Sequence, residues 1–388
     1  MSHGPWRQSR QLLLIVVISA LLIGCGKTAK EDWSERFTHL WQGYQKQFVN
    51  TQGRVIDPAY PDHRTTSEGQ AYALFFALVA NDPQRFEQIR SWTQQNLAKG
   101  DLGTHLPAWL WGLNPDNHQW GVLDTNTASD ADLWIAYALL EAGRLWHKPT
   151  YVQTGQKMAS LIAQMEVLNV AGLGTVLLPG LEGFGPDAQG CVMINPSYTP
   201  LPVVRLMAHK FGAPWQSIAD GLPHLIKASA PHGFPADWVQ ACPEKGVIIP
   251  AAAHPPIGSY DAIRVYLWAG ITAPNTPGSE PLLKGIWGMA NYLSGHTIPP
   301  EHVDVLKGSA SSDGPVGFSA ALLPYLNAQK MQTRFNRLAA LVQADQQPSG
   351  LLGAKPTYYD QNLGLFALGY LAGLYQFNEH GTLEVPWQ

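Results

Sequence analysis

Thr66-Ser67-Glu68-Gly69-Gln70-Ala71-Tyr72-Ala73-Leu74-Phe75-Phe76-Ala77-Leu78 opens with one carboxylate and continues as an almost unbroken apolar rod. A helix that is apolar on every face is buried all round, so its single acid sits where the interior meets a cleft. Ser67 is the expected N-cap, its hydroxyl accepting from an orphan N–H of the first turn. Taken alone, the segment allows two readings: Glu68 is a reactive carboxyl, or it complements the helix dipole and a capping network.

The pattern recurs. Ser129-Asp130-Ala131-Asp132 precedes Leu133-Trp134-Ile135-Ala136-Tyr137, and Ser259-Tyr260-Asp261 precedes Ala262-Ile263-Arg264-Val265-Tyr266. Apolar periodicity and Gly/Pro punctuation predict about twelve helical segments and almost no strand alternation. They fall near 33–49, 67–81, 83–98, 129–146, 149–169, 199–211, 214–230, 259–271, 279–295, 317–328, 330–345 and 358–375. Short links such as Asn81-Asp82-Pro83 and His147-Lys148-Pro149 imply antiparallel hairpins. In each hairpin the first helix is apolar all round and the second amphipathic, as in Gln84-Arg85-Phe86-Glu87-Gln88-Ile89-Arg90. That is what an inner and an outer ring require. The expected fold is all-α, an (α/α)6 barrel of six helical hairpins in one domain, 26–388, with the first and last helices closing the ring.

In such a ring every inner helix starts at the same end, which gathers Glu68, Asp130, Asp132, Asp261 and Asp360 on one rim. Long Gly/Pro-rich connections at 99–128, 170–198, 231–258 and 346–357 precede those starts. Loops of that length are usually functional or disordered, and here they would wall a groove over the rim. Carboxylates at a groove suit glycoside hydrolysis, in which a protonated acid serves the leaving group and an ionised base activates water. A helix N-terminus favours the ionised form, so an acid there needs burial and a neighbouring Asp to keep its proton.

Other chemistries recede. The formal charge is -4 and the basic residues are scattered, with no cluster to track phosphates, so nucleic acid is not an expected partner. No Cys/His zinc spacing, His-Glu-x-x-His motif or Gly-x-Ser-x-Gly elbow occurs, and neither metal nor cofactor is expected. Charged residues make up only 14% of a chain with 14 Trp and 14 Tyr, which suits both a core and a surface on which sugar rings stack. Residues 1–25 read as an export leader, with Arg7 and Arg10 before the apolar run Leu12 to Ile23. Leu22-Ile23-Gly24-Cys25 resembles a lipobox that would leave Cys25 lipidated; the alternative is an ordinary signal with a chance cysteine. Gly24 to Thr28 imitates the end of a phosphate loop, but Leu21 stands where its first glycine is required and no strand is expected before it. Cys191 and Cys242 are either a disulfide, as an oxidising compartment permits, or two free thiols.

The run from Ala128 through Asp130 and Asp132 to Trp146 resembles the signature of glycoside hydrolase family 8. Thr66-Ser67-Glu68-Gly69-Gln70 and Ser259-Tyr260-Asp261-Ala262-Ile263-Arg264 resemble that family's other two blocks. The resemblance implies an inverting endo-β-1,4-glucanase (cellulase) acting on a β-1,4-glucan chain in bacterial cellulose biosynthesis and secretion, with the cellulose synthase complex as a partner. It makes Glu68 the general acid, Asp261 the general base and Asp130 the residue that holds and distorts the sugar beside the scissile bond. Arg264, one helical turn after Asp261, would orient that carboxylate, and Tyr198 would sit near the water. Inversion asks for roughly 6.5–9.5 Å between Glu68 and Asp261.

Several positions carry two readings. Trp109 and Trp111 either stack on glucose rings or pin the first long loop. Asp132 and Asp360 either line the groove and bind substrate or are structural, Asp132 pointing elsewhere on its helix and Asp360 capping its own. The family also holds chitosanases, xylanases and mixed-linkage glucanases, and a non-catalytic glycan-binding component of the secretion machinery is the reading from another class. Location is expected to be periplasmic or exported, with membrane contact only through a lipid on Cys25.

Overall fold

The computed structural model describes Met1, residues 28–249 and residues 254–388. The leader, the lipobox and Cys25 lie outside the described residues. The helices run in order α1 (Ala29–Phe48), α2 (Ser67–Val79), α3 (Pro83–Asn96), α4 (Ser129–Leu145), α5 (Pro149–Met165), α6 (Leu201–Phe211) and α7 (Trp215–Ala228). They continue as α8 (Ala262–Ile271), α9 (Ser279–Gly285), α10 (Gly288–Tyr292), α11 (Val316–Ala328), α12 (Gln332–Asp345) and α13 (Tyr358–Leu371).

Burial sorts these helices into two rings. In α2 every residue from Gly69 to Val79 is buried, whereas in α3 burial is confined to Phe86, Ile89, Trp92 and Thr93, one stripe at helical spacing. The inner helices α2, α4, α6, α8, α11 and α13 each pack against the next, and α13 returns to α2. The outer ring is α1, α3, α5, α7, the α9–α10 pair and α12. The first helix packs on the last, α1 against α13, so the chain closes its own (α/α)6 barrel. Phe75, Trp134, Trp268 and Phe366 fill the axis, with neighbouring ring centroids 5.0 to 5.4 Å apart. Each such aromatic pair adds roughly 0.5–1.5 kcal/mol beyond its buried area. Helices α8 and α11 approach so closely at Gly270 that a Cβ there would lie 2.2 Å from the Tyr325 amide nitrogen.

Four details differ from the sequence reading. The helix expected at 279–295 is broken into α9 and α10, where Gly288 sits against the His232–Gly233 backbone and the Phe234 ring and donates its N–H to Gly233 O. The end of the helix expected at 149–169 is strand, Val167–Val170 pairing with Gly174–Leu177. The N-cap of α2 is Thr66, whose hydroxyl accepts from Gly69 N at 3.1 Å, so Ser67 is already the first helical residue. The long loops are not free of strands. Thr65–Thr66, Leu110–Leu113 and Trp120–Asp124 form one small sheet; Val192–Ile194, Val239–Cys242 and Gly246–Ile248 another; Ile257–Gly258, Pro300–Asp304 and Ser309–Asp313 a third. Segments of two to five residues are too short to declare a period of two.

The second of these sheets settles the cysteines. Cys191 and Cys242 form a disulfide, joining the 170–198 and 231–258 connections.

Candidate active site

The rim geometry turns on Arg264. It lies on the first turn of α8, its side chain only 3 % exposed, and it meets three carboxylates at once. Nη1 donates to Glu68 Oε2 from the start of α2, to Asp130 Oδ2 at 3.1 Å from the start of α4, and to the Tyr72 hydroxyl at 3.0 Å. Nη2 donates to Asp261 Oδ1 at 2.6 Å, the i to i+3 contact that the spacing implied. One guanidinium, which stays charged in proteins, thus gathers the N-termini of three inner helices. Tyr198, at the end of the 3-10 turn Pro196–Tyr198, lays its ring 5.4 Å from the guanidinium carbon.

Exposure divides the acids. The Glu68 and Asp261 side chains are 22 % and 27 % exposed, and Asp130 is 3 % exposed. A polymer lying on the rim therefore meets Glu68 and Asp261 first, with Asp130 on the floor between the helix starts. Asp130 Oδ1 is spent on the Ala131 amide at 2.8 Å. Burial pushes Glu68 up to about 7; Arg264 opposes this, and the charges of Asp130 and Asp261 reinforce it. Those are the pressures a carboxyl at a helix N-terminus needs in order to hold a proton near neutrality. Burial raises Asp130 as well, against the pull of Arg264 and the Ala131 N–H.

Two expected site residues are not at the groove. Asp132 is completely buried and lies near the carboxyl of Glu166, itself buried at the end of the outer helix α5. Two residues along a helix is a rotation of about 200°, so an acid two positions from Asp130 faces away from the rim. Asp360 is 5 % exposed, accepts from the Gly317 N–H at 3.1 Å and the Thr357 hydroxyl at 2.7 Å, and so ties α13 to the start of α11. Both side chains are engaged within the protein.

The tryptophans divide too. Trp111 stacks on Trp120 at 5.4 Å, meets Trp92 edge-on, and has the Arg54 guanidinium 4.2 Å from its centroid. Its ring is engaged on the protein, so it pins the hairpin to α3. Trp109 is half-buried, and its backbone carbonyl accepts from the Ser67 N–H, which places the residue beside Glu68.

Other residues at the rim escaped the sequence reading. Trp120 is 50 % exposed at the hairpin edge. Trp238 stacks between Phe184 and His254 and borders a cavity of about 320 Å3 with Asp237, Tyr260 and His302. Tyr359, which follows the first residue of α13, donates its hydroxyl to Tyr260 O. Asp237 carries no helical or motif signal; the only hint was Asp-Trp inside a Gly/Pro-rich connection. Among the described residues, no group of three or more His, Cys, Asp or Glu side chains is arranged to hold a metal ion.

A closed ring of six helical hairpins, with a carboxyl pushed up to about 7 and a second, similarly exposed carboxyl on one rim, defines a glycosidase-type barrel. Residues 17–373 match the profile of glycosyl hydrolases family 8, and the chain belongs to that family. It is 44% identical over 347 residues to an endoglucanase of Salmonella typhi, covering 89% of this chain and 90% of that one. It is 43% identical over 357 residues to an endoglucanase of Xanthomonas axonopodis pv. citri (strain 306), covering 90% and 89%. The crystal structure of an endo-1,4-D-glucanase from Vibrio fischeri ES114 superposes with a TM-score of 0.80 at 38% identity, over 90% of this chain and 99% of the other.

Proposed function

We infer that the protein is an endo-β-1,4-glucanase that hydrolyses internal linkages with inversion, using Glu68 as general acid and Asp261 as general base. The observation that carries the assignment is the Arg264 bridge: two partly exposed carboxyls held on different nitrogens of one buried guanidinium, one of them held at about 7. Glu68 protonates the glycosidic oxygen as the bond breaks. Asp261 takes a proton from a water that attacks the anomeric carbon on the opposite face. Asp130 lies beneath the ring at the scissile bond, where its charge helps Glu68 keep its proton and its position favours a distorted sugar. Tyr198, with its ring against Arg264, borders the water's side. Exposed Trp120 and half-buried Trp109 offer stacking surface along the groove.

The leader-like 1–25 and a disulfide together support an exported protein working in an oxidising compartment. A lipid on Cys25 would restrict the enzyme to glucan near a membrane surface, and the mass of the mature N-terminus decides this. A role in cellulose secretion, beside the synthase complex, rests on the resemblance of the three sequence blocks.

The deciding experiment measures new reducing ends and viscosity loss on carboxymethyl cellulose, xylan and chitosan for wild type, Glu68→Gln and Asp261→Asn. Rapid thinning of carboxymethyl cellulose alone, lost in both variants, is the expected result. Preference for another polymer overturns the substrate, and no cleavage by wild type leaves a glycan-binding component. The anomer first released, read by NMR, tests inversion.

A further inference from the structure

We propose that Asp237 is the positioning residue for the general base: it caps α8 in place of Asp261 and so frees the Asp261 side chain to face Arg264. The inference rests on the assignment of Asp261 as base. Asp261 occupies the N-cap position of α8, yet its side chain makes no capping hydrogen bond. An aspartate there ordinarily turns back to accept from the N–H groups of the first turn. Here Asp261 Oδ1 is bound to Arg264 Nη2 instead.

The vacated place is filled from another connection. Asp237 Oδ1 accepts from Ser259 N at 2.7 Å and from Ala262 N at 2.8 Å, the amides on either side of Tyr260 and Asp261. One oxygen thereby clamps the backbone two residues before the base and one residue after it. The Asp237 N–H donates to Ile257 O at 2.8 Å, and Ser259 Oγ donates to Glu301 O at 2.6 Å, so the clamp is fixed to the 257–258 and 300–304 strands. The base is thus aimed by a residue more than twenty positions earlier in the chain, on a segment the disulfide also restrains.

The arrangement has an electrostatic cost. Burial and the charge of Asp261 push Asp237 up to about 7, opposed by the two amides and by Arg264. Tyr359 of α13 faces the same group, and His254 and His302 border the adjoining cavity. A second acid stands beside the base although it repels it, which fits a requirement for its acceptor geometry. Asparagine supplies the same acceptor without the charge and is as good an N-cap, so the two roles separate.

The test compares Asp237→Ala and Asp237→Asn with Asp261→Asn on soluble glucan, reading kcat, KM and the thermal midpoint. Misplacing a reacting group by about 1 Å costs on the order of 100-fold. Asp237→Ala is therefore expected to lose about that in kcat with KM unchanged, and Asp237→Asn to recover most of it. If Asp237→Ala does not fold, Asp237→Ser, with a shorter acceptor, is expected to lower kcat at unchanged KM. Full activity in a folded Ala or Ser variant overturns the inference. So does an Asn variant as poor as Ala, since the charge and not the cap would then matter, and so does a loss confined to KM. An active Asp261→Asn overturns the base assignment itself; an inactive one beside an unaffected Asp237→Ala overturns this inference alone.

Discussion

Replacing Glu166 by Gln should flatten the pH dependence of stability without touching the rim. Glu166 and Asp132 are both fully buried with their carboxyls close together, and among the described residues neither has a cationic partner. Two such carboxyls cannot both ionise cheaply, so the pair retains a proton. Burial moves Glu166 from 4.5 to about 7, against the pull of the Thr127 hydroxyl and Asp132. The folded pair therefore keeps a proton that the unfolded chain releases, and stability falls as pH rises from 4.5 through about 7. At about 1.4 kcal/mol per pH unit, this amounts to roughly 3 kcal/mol across that window. Gln keeps an acceptor for Thr127, offers an N–H to Asp132 and removes the Glu166 titration, while the burial that raises Asp132 remains in both proteins. Denaturant unfolding across the window is expected to show wild type losing about 3 kcal/mol more than Glu166→Gln, which at about 2 °C per kcal/mol is a difference of about 6 °C in midpoint. Glu68 and Asp237 also rise in the fold and slope both proteins alike, so only the difference counts. Parallel curves for the two proteins refute the shared proton.

The general acid must enter the reaction protonated, so kcat/KM is expected to hold below neutrality and to fall as pH rises through about 7, the value to which burial brings Glu68; a rate level to pH 9 removes Glu68 from that role. Arg264→Lys places one ammonium where a fork spans three carboxylates, and a loss of about 100-fold in kcat is expected in a folded variant; near-normal turnover takes the bridge out of the machinery. Replacing Cys191 and Cys242 together by Ser should cost about 2–4 kcal/mol, with wild type in reductant moving toward the variant; equal midpoints show that the clamp adds nothing to stability.

Much of this protein is written locally. The inner helices are legible because residues such as Ala71 to Val79 leave no polar face for water, and the outer ones because α3 spaces Phe86, Ile89 and Trp92 on one stripe. Hairpin order follows from the short Pro-restarted links, and a ring of hairpins places Glu68, Asp130 and Asp261 at one end. The Asp261–Arg264 contact is likewise local, a single helical turn.

The remainder depends on contacts between distant segments, which periodicity does not encode. Helical spacing already turns Asp132 away from Asp130, but that the group it then meets is the buried Glu166 carboxyl is settled only by the packing of α4 against α5. Asp360 needs the neighbouring Gly317 amide to become a tie between helices. Asp237 sits in a connection with no helical period, and its purpose exists only where the 231–258 connection crosses the start of α8. The alternation of apolar and polar residues was enough to determine which helices are inside, because burial acts on each residue's own surface. Which acid stands open on the rim, which lies buried beneath it and which ties helices together was decided by tertiary structure, because a carboxyl's proton and orientation are set by the groups folded against it.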